Sequence, residues 1–333
     1  LALEVAVVLC LVAAVLGGPP VSKSRAEIEE FKEYLESTRT DKGVILPSNP
    51  KSSAWSNSGK YQGDILLDDE QIEDMVKQYS SGRNAYIVAG TRWPNNVVVY
   101  QFAAGHFNQE QTNWIIHVMR ILEQNTCIRF QERTNHASYA LITGNADGCY
   151  ANVGYWATRG VHIMNVARNN PGWGCMNGVI IAHEWLHVIG FFHMQSTYDR
   201  DNWVRINWEN IMPGTAHNFD RYGQNQVSNL GLPYEYDSCM HYGAYDFSSN
   251  GRTTIDPHSG TMGQTDYITG WDFWRVDRHY GCAAWRKAED YQKVYAARPE
   301  GQEPEVIDEA KQEEVLPQEA LAPEIEDVQE LRV

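Results

Sequence analysis

The segment HEWLHVIGFFH places three histidines and one glutamate within eleven residues of an otherwise apolar run. His183 and His187 are four residues apart, so on a helix both rings lie on one face and can reach the same ion. Gly190 can take the left-handed conformation that ends such a helix, and the turn would bring His193 round as a third ligand. Three nitrogen ligands leave one position open, which is typical of a catalytic zinc rather than a structural one.

Glu184 follows the first histidine and is not needed as a ligand. Zinc lowers the pKa of a bound water to roughly 7, so Glu184 would accept a proton from that water and pass it to the leaving amine of a peptide. The alternative is that the histidines are buried residues bonded to backbone carbonyls. The full pattern would arise by chance in about one such chain in ten thousand, which favours the zinc site.

Apolar periodicity predicts the elements that position this segment. Strands are predicted for NNVVVYQF, CIRFQER, YALITG and VHIMNVA, and helices for SRAEIEEFKEYLEST, NQEQTNWIIHVMRILEQN, GVIIAHEWLHVIG and GWDFWRVDRHYG. Strands that precede most of the helices predict an α+β fold.

Composition divides the chain into four parts. Residues 1–17 hold a short apolar run ending in small residues, which predicts a secretory signal peptide, with a buried helix as the alternative. Residues 18–83 are polar and charged, and residues 84–283 hold most tryptophans and predict the packed domain. Residues 284–333 are acidic, with no aromatic side chain from Pro299 onward, and predict a flexible tail. That tail carries most of the net charge of -16, so the charge says little about the partners of the packed domain.

Six cysteines fit a secreted, extracellular protein. Cys10 would leave with the signal peptide, and the remaining five allow two disulfides and one unpaired thiol, whose pairing the spacing alone leaves open. No other apolar run approaches the roughly 20 residues of a membrane span. We therefore expect no membrane association after signal removal, and no nucleic-acid partner. The five cysteines are Cys127, Cys149, Cys175, Cys239 and Cys282.

The sequence resembles the astacin family of zinc metallopeptidases, within the metzincins. The family pattern HExxHxxGFxHExxRxDRD continues here through Phe191 and His193 to DRD at residues 199–201. The resemblance covers about residues 84–283 and implies a metzincin catalytic domain: a mixed twisted sheet, an active-site helix, a C-terminal helix and a cleft between two subdomains. It further implies one catalytic zinc ion, an extended peptide or protein substrate, and a secreted endopeptidase made as a zymogen.

A second match lies in SCMHYGAYDFS. It implies that Met240 forms the Met-turn beneath the metal. It also implies that Tyr242 is a switchable zinc ligand that donates a hydrogen bond to the oxyanion of the reaction. VHIMNVA is a candidate edge strand for pairing with a peptide, and an ordinary sheet strand is the equal alternative. Arg252 is a candidate for the primed-side pocket, against the simpler interpretation of a solvated loop arginine.

The cysteine contexts NTCIRF, DGCYANVG and WGCMN also match the family. They imply the disulfides Cys127–Cys282 and Cys149–Cys175. Cys239 would then be unpaired, and we expect it to be a small buried hydrophobe beside the Met-turn.

The motif YQGDI at residues 61–65 resembles the family's FxGDI, in which the aspartate ligates zinc in the zymogen. Asp64 would fill the open position, and Gly63 would permit close backbone approach. The alternative is an ordinary turn. Cleavage after Arg83 by an activating protease would release the block and start the mature enzyme near Asn84.

Two positions depart from the family pattern: Met194 replaces a glutamate and Thr197 replaces an arginine. In the family that glutamate interacts through water with the new N-terminus, which Met194 cannot do. Neither change touches the ligands, so we expect an active enzyme. The rival hypothesis is an inactive zinc-binding module of the same fold, and the intact Glu184 and Tyr242 argue against it.

Overall fold

The computed structural model describes residues 23–39, 52–80, 92–224, 227–282 and 293–296. The predicted signal peptide, the activation site at Arg83 and Asn84 and the acidic stretch from Pro299 onward lie outside these residues. No helix within the described ranges is both long and apolar enough to cross a membrane.

Five α-helices and nine strands make up the described chain. The helices are α1 Arg25–Ser37, α2 Asp69–Ser80, α3 Gln109–Asn125, α4 Gly178–Val188 and α5 Gly270–Tyr280. The strands are β1 Val97–Phe102, β2 Arg129–Glu132, β3 Tyr139–Thr143, β4 Cys149–Ala151, β5 Val161–Val166, β6 Val204–Ile206, β7 Ile255–Pro257, β8 Tyr267–Ile268 and β9 Val294–Tyr295. Each predicted helix and strand is confirmed, with its ends within two residues of the expected bounds, and so is the α+β fold class.

The main sheet has the strand order β2-β1-β3-β5-β4. Its first four strands are parallel, and β4 runs antiparallel to β5. The expectation that VHIMNVA forms the edge strand is therefore wrong, because β5 is paired on both sides. Its near-continuous apolar run fits a strand with neighbours on both sides and both faces covered. The edge that a peptide could reach is β4.

Helix α4 packs against β4, β5 and α3, and all eleven of its residues are buried. Burial on every side explains why its sequence is apolar all round. Asn177 begins the helix, because its side chain accepts the N–H groups of Val179 and Ile180 at 2.8 and 3.3 Å. At the other end Gly190 has φ +112°, a conformation that favours glycine, and the chain turns back over the helix.

Two disulfides tie the packed domain together. Cys127–Cys282 joins the start of β2 to the end of α5, and Cys149–Cys175 joins β4 to the turn before α4. Cys239 is unpaired and buried. Burial raises the pKa of its thiol well above the usual range, so it stays a neutral thiol in the core.

The described residues 23–39 and 52–80, here called the N-terminal segment, form a small second core. Helices α1 and α2 pack on each other through Phe31, Leu35, Ile72 and Met75. Helix α2 is not among the predicted elements, although its apolar residues recur at helical spacing.

Between the two helices, residues 52–68 of the N-terminal segment fill a cleft. On one side the segment bonds to β4, where the N–H of Ala151 donates to the carbonyl of Asp64 at 2.8 Å. On the other side it bonds to loops that follow α4. There Asn218 accepts the N–H of Gln62 at 2.9 Å, and Asp246 accepts the N–H of Ser53 at 2.9 Å. The predicted cleft therefore separates the sheet from the C-terminal half of the domain.

Candidate metal centre

Three histidines and one aspartate converge in the floor of the cleft. His183 and His187 come from α4, His193 follows the turn at Gly190, and Asp64 comes from the N-terminal segment. One potential ligand atom from each of the four side chains lies within 4.8 Å of the other three, and all four residues are buried.

The imidazole rings are held by hydrogen bonds on the side away from the centre. In each ring the Nδ1–H donates to an oxygen, which leaves the Nε2 lone pair directed at the centre. The acceptors are the Cys239 carbonyl for His183 (2.7 Å), the Phe191 carbonyl for His187 (2.7 Å) and the Gln62 side-chain oxygen for His193 (3.1 Å). Two of the three acceptors are backbone atoms of the packed domain, so their positions do not depend on the N-terminal segment.

The carboxylate of Asp64 lies among the three Nε2 atoms. Its Oδ2 is 2.8 Å from His183 and 3.3 Å from His193, and its Oδ1 is 3.5 Å from His187. Gly63 makes this approach possible, because it has φ +91° and a Cβ there would lie 3.0 Å from the backbone of Ser56.

The electrostatics of the cluster favour an ionised Asp64 carboxylate beside a neutral His193 ring. Burial raises the pKa of Asp64, but the neighbouring His193 and His187 rings outweigh burial and hold that pKa well below its usual range. Burial lowers the pKa of His193 to about 3, so the ring is neutral at ordinary pH. Neutral nitrogens and an anionic oxygen are the ligand forms that a zinc ion requires.

The residues present fit a bound zinc ion. The Nε2 of His187, the Oδ1 of Asp64 and both carboxylate oxygens of Glu184 are buried, and none has a hydrogen-bond partner among the described residues. Leaving such atoms unpaired is costly, so their clustering indicates a missing positive partner. Three imidazoles and one carboxylate are a donor set typical of zinc.

Glu184 is fully buried beside the cluster. Burial, and then the negative charge of Asp64, raise the pKa of its carboxyl well above the usual range. A carboxyl in such surroundings binds a proton readily, which is the property a proton-transferring group needs.

Tyr242 lies beside the same centre, and Met240 bonds to the chain just after the third histidine. The carbonyl of Met240 accepts the N–H of Met194 at 2.9 Å, which ties the chain after the third histidine to the predicted Met-turn. The hydroxyl of Tyr242 donates to the carbonyl of Gln62 at 2.7 Å, and its ring lies 4.8 Å from the ring of His193. Burial raises the pKa of Tyr242 well above its usual range, so the hydroxyl keeps its proton and remains a donor.

The structure adds a residue that the sequence analysis missed. Trp55, which is 1% exposed, stacks on His183 and His193 with ring centroids 4.8 and 5.0 Å apart. It covers the metal centre from the side of the N-terminal segment. The stretch SAWSNSG around it has no motif signal, so only the three-dimensional contacts reveal this role.

We expect Trp55→Ala to destabilise the uncleaved chain by about 3 kcal/mol or more, since it removes a fully buried aromatic side chain. The measurement is urea unfolding followed by circular dichroism. Trp208→Ala is the matched control, because that side chain is 51% exposed and its removal should lower the free energy of unfolding far less. An unchanged midpoint for Trp55→Ala would contradict the stacking role.

The two positions that depart from the family pattern lie beside the centre. The side chain of Met194 is buried and lines a cavity of about 270 Å³ together with Tyr234, Arg275 and His279. The hydroxyl of Thr197 donates to Asp199 at 3.2 Å. Neither residue belongs to the ligand cluster.

Two arginines from the sequence motifs, Arg200 and Arg252, lie in different surroundings. Arg200, in the DRD stretch, is buried, and its guanidinium donates to the carbonyls of Gln195 and Phe219 at 3.1 and 2.9 Å. Arg252, the candidate for the primed-side pocket, is exposed in a loop that its own backbone closes through Ser248 and Asn250. Its proposed contact with substrate stays a prediction.

The fold and the site define a zinc metallopeptidase. The family model for the Astacin peptidases matches residues 86–281, and the chain belongs to that family. Members of the family are peptide hydrolases that use one catalytic zinc, and the three-histidine site of this chain is present.

Individual relatives agree with this assignment. Zinc metalloproteinase nas-4 of Caenorhabditis elegans is 34% identical over 246 residues, which are 72% of this chain and 73% of the relative. Astacin-like metalloprotease toxin 1 of Loxosceles intermedia is 36% identical over 228 residues, 66% and 80% of the two chains. Protein SpAN of Strongylocentrotus purpuratus is 32% identical over 286 residues, and these cover 80% of this chain but only 45% of SpAN.

Among solved structures, high choriolytic enzyme 1, a hatching enzyme zinc-protease from Oryzias latipes, superposes with a TM-score of 0.52. The two chains are 34% identical, and the match covers 59% of this chain and 95% of the hatching enzyme. The likeness therefore covers nearly the whole of that solved domain.

Proposed function

We propose that this chain is a secreted zinc-dependent endopeptidase made as a zymogen, with residues 18–83 as its pro-segment. One observation carries the proposal: the Asp64 carboxylate lies within 2.8 to 3.5 Å of the Nε2 atoms of His183, His187 and His193. A carboxylate in that position fills the coordination site that a substrate and its attacking water need.

The same segment blocks the substrate edge of the sheet. The N–H of Ala151 donates to the carbonyl of Asp64, and the N–H of Leu66 donates back to Ala151 at 2.9 Å. These bonds occupy the groups on β4 that an extended peptide would use to add a strand. Cleavage after Arg83 by an activating protease, to give a chain beginning at Asn84, frees both the edge and the metal centre.

In the open site each residue has a distinct task. Zinc held by the three histidines supplies a Lewis acid for the scissile carbonyl. Glu184 takes a proton from the attacking water and delivers it to the leaving amine, a role that its buried surroundings suit. Tyr242 loses its bond to Gln62 when the segment leaves, so its hydroxyl becomes free to donate to the developing oxyanion. Met240 supports the centre from below by holding the chain at Met194.

Several features support secretion and the proposed domain limits. The run at residues 1–17 has the character of a signal peptide. The two disulfides fit an oxidising compartment. The matched family region, 86–281, supports a catalytic domain over residues 84–283. The acidic tail begins later than the expected residue 284, because β9 pairs with β8 and Ala296 is buried in the core of the packed domain.

Metal removal tests the proposal. We expect 1,10-phenanthroline to abolish casein digestion by the processed protein, and added Zn²⁺ to restore it, because the three histidines alone cannot polarise a peptide carbonyl. The non-chelating isomer 1,7-phenanthroline is the control. A processed protein that binds one zinc per chain yet digests nothing would instead favour a binding module of the same fold.

A further inference from the structure

Arg159 lies in the loop between β4 and β5, and its side chain is 8% exposed. Its Nε and Nη2 donate to the carboxylate of Asp68 at 3.0 and 2.5 Å, and Nη2 also donates to Gln71 at 3.1 Å. Both acceptors belong to the N-terminal segment. Its remaining nitrogen, Nη1, is buried with no hydrogen-bond partner among the described residues.

Another buried arginine, Arg200, finds its hydrogen-bond acceptors within the packed domain. Arg200 donates to carbonyls of its own domain, so its bonds survive loss of the N-terminal segment. For Arg159, the hydrogen bonds and ion pair that the described residues give its side chain all end on the segment, and the ring of Trp156 lies 5.9 Å away. Once the segment leaves, the guanidinium keeps its charge and loses these partners.

The path from the metal centre to Arg159 follows the edge of the sheet. The segment bonds to Ala151 through Asp64 and Leu66, and the side chain of Asn152 then donates to the carbonyl of Leu66 at 2.7 Å. Asp68 lies four residues beyond Asp64 along the chain. At about 3.3 Å per residue, Arg159 meets a chain extended along β4 roughly 13 Å from the metal centre.

We infer that Arg159 is a specificity-determining residue that selects substrates with Asp or Glu three or four residues from the scissile bond. The acidic residue lies on the side of the peptide that extends along β4, and its carboxylate replaces that of Asp68. Arginine suits this task, because its guanidinium forks onto a carboxylate and stays charged at any working pH. The inference rests on the proposed function, since it requires that the segment leave and a peptide take its place.

The test compares peptides that differ only by Glu or Gln. The processed protein is assayed with a neutral parent peptide and with a Glu/Gln pair at each position up to four residues on either side of the scissile bond. We expect kcat/KM for Glu to exceed that for Gln by about tenfold at the third or fourth position on one side, a typical effect of a charge-assisted bond. The side with the preference gives the direction in which substrates lie on β4.

Variants then assign that preference to the arginine. Arg159→Gln should bring the Glu/Gln ratio close to one, Arg159→Lys should restore part of it, and Arg159→Glu should favour Lys at the same position. Arg205→Gln is the matched control, because Arg205 pairs with Asp256 on the exposed side of β6 and its loss should leave the ratio unchanged. The ratio is internal to each variant, so partial loss of folded protein does not change it.

A Glu/Gln ratio that stays tenfold in Arg159→Gln overturns the inference. So does a parent enzyme that cleaves the neutral and acidic peptides equally well, although the proposed endopeptidase function then stands. Failure of the processed parent to cleave any peptide is a different result, because it removes the proposed function and this inference with it.

Discussion

Glu184→Gln should lower kcat/KM of the processed protein by about 10³-fold and leave one zinc bound per chain, since positioned proton transfer contributes effects of this size. The amide has nearly the same shape as the carboxyl, so the buried space around the side chain stays filled. An amide cannot accept the proton of the attacking water, whereas a carboxylate can. His183 and His187 keep their hydrogen bonds to backbone carbonyls, and the substitution changes no metal ligand, so zinc binding survives.

Peptide hydrolysis and metal content must be measured on the same preparations. Glu209→Gln is the matched control, because it makes the same chemical change at an exposed position in the loop after β6. Full zinc content with nearly full activity in Glu184→Gln would exclude the carboxyl as the proton acceptor. Loss of zinc together with activity would show that the side chain supports the ligands instead.

The metal ligands could be predicted from the sequence because the geometry of α4 is local. Four residues on a helix fix the separation of His183 and His187, and one glycine conformation fixes the return of His193. The strands and helices of the packed domain were predictable for a related reason. Their apolar periodicity records burial within each element, without reference to its neighbours.

Contacts between distant parts of the chain could not be predicted in this way. The apolar run VHIMNVA is equally compatible with an edge or a central position, and only pairing with β4 shows that β5 is central. Trp55 reaches His183 across 128 positions of sequence, and Asp68 reaches Arg159 across 91. Such pairs depend on how the N-terminal segment enters the cleft, which no local pattern records.

The segment holds the cleft by several independent bonds, and this affects what one substitution can release. Asp64 blocks the metal, while Ala151 pairs with the backbone of the segment and Asp246 accepts from Ser53 and Ser56. The backbone bonds do not depend on the aspartate side chain. Removing the carboxylate therefore opens the metal centre without expelling the segment.

Asp64→Ala should raise the hydrolysis of a short reporter peptide by the uncleaved chain at least about tenfold. The carboxylate now lies within 3.5 Å of all three Nε2 atoms, and its loss frees one coordination position for water. The hydrolysis of large protein substrates should rise much less, because the segment still covers β4. The measurement compares the two substrate sizes on chains protected from cleavage by Arg83→Gln.

Asp69→Ala provides the matched control for this prediction. Asp69 lies five residues further along the same segment, is exposed and pairs with Arg39, so its loss should leave the uncleaved chain latent. On chains that retain Arg83, processing should bring the parent and Asp64→Ala to the same rate of hydrolysis. The mature enzyme begins at Asn84, so position 64 has been removed from both. An uncleaved Asp64→Ala chain as inactive as the parent would mean that coverage of the cleft, rather than occupation of the metal, keeps the enzyme latent.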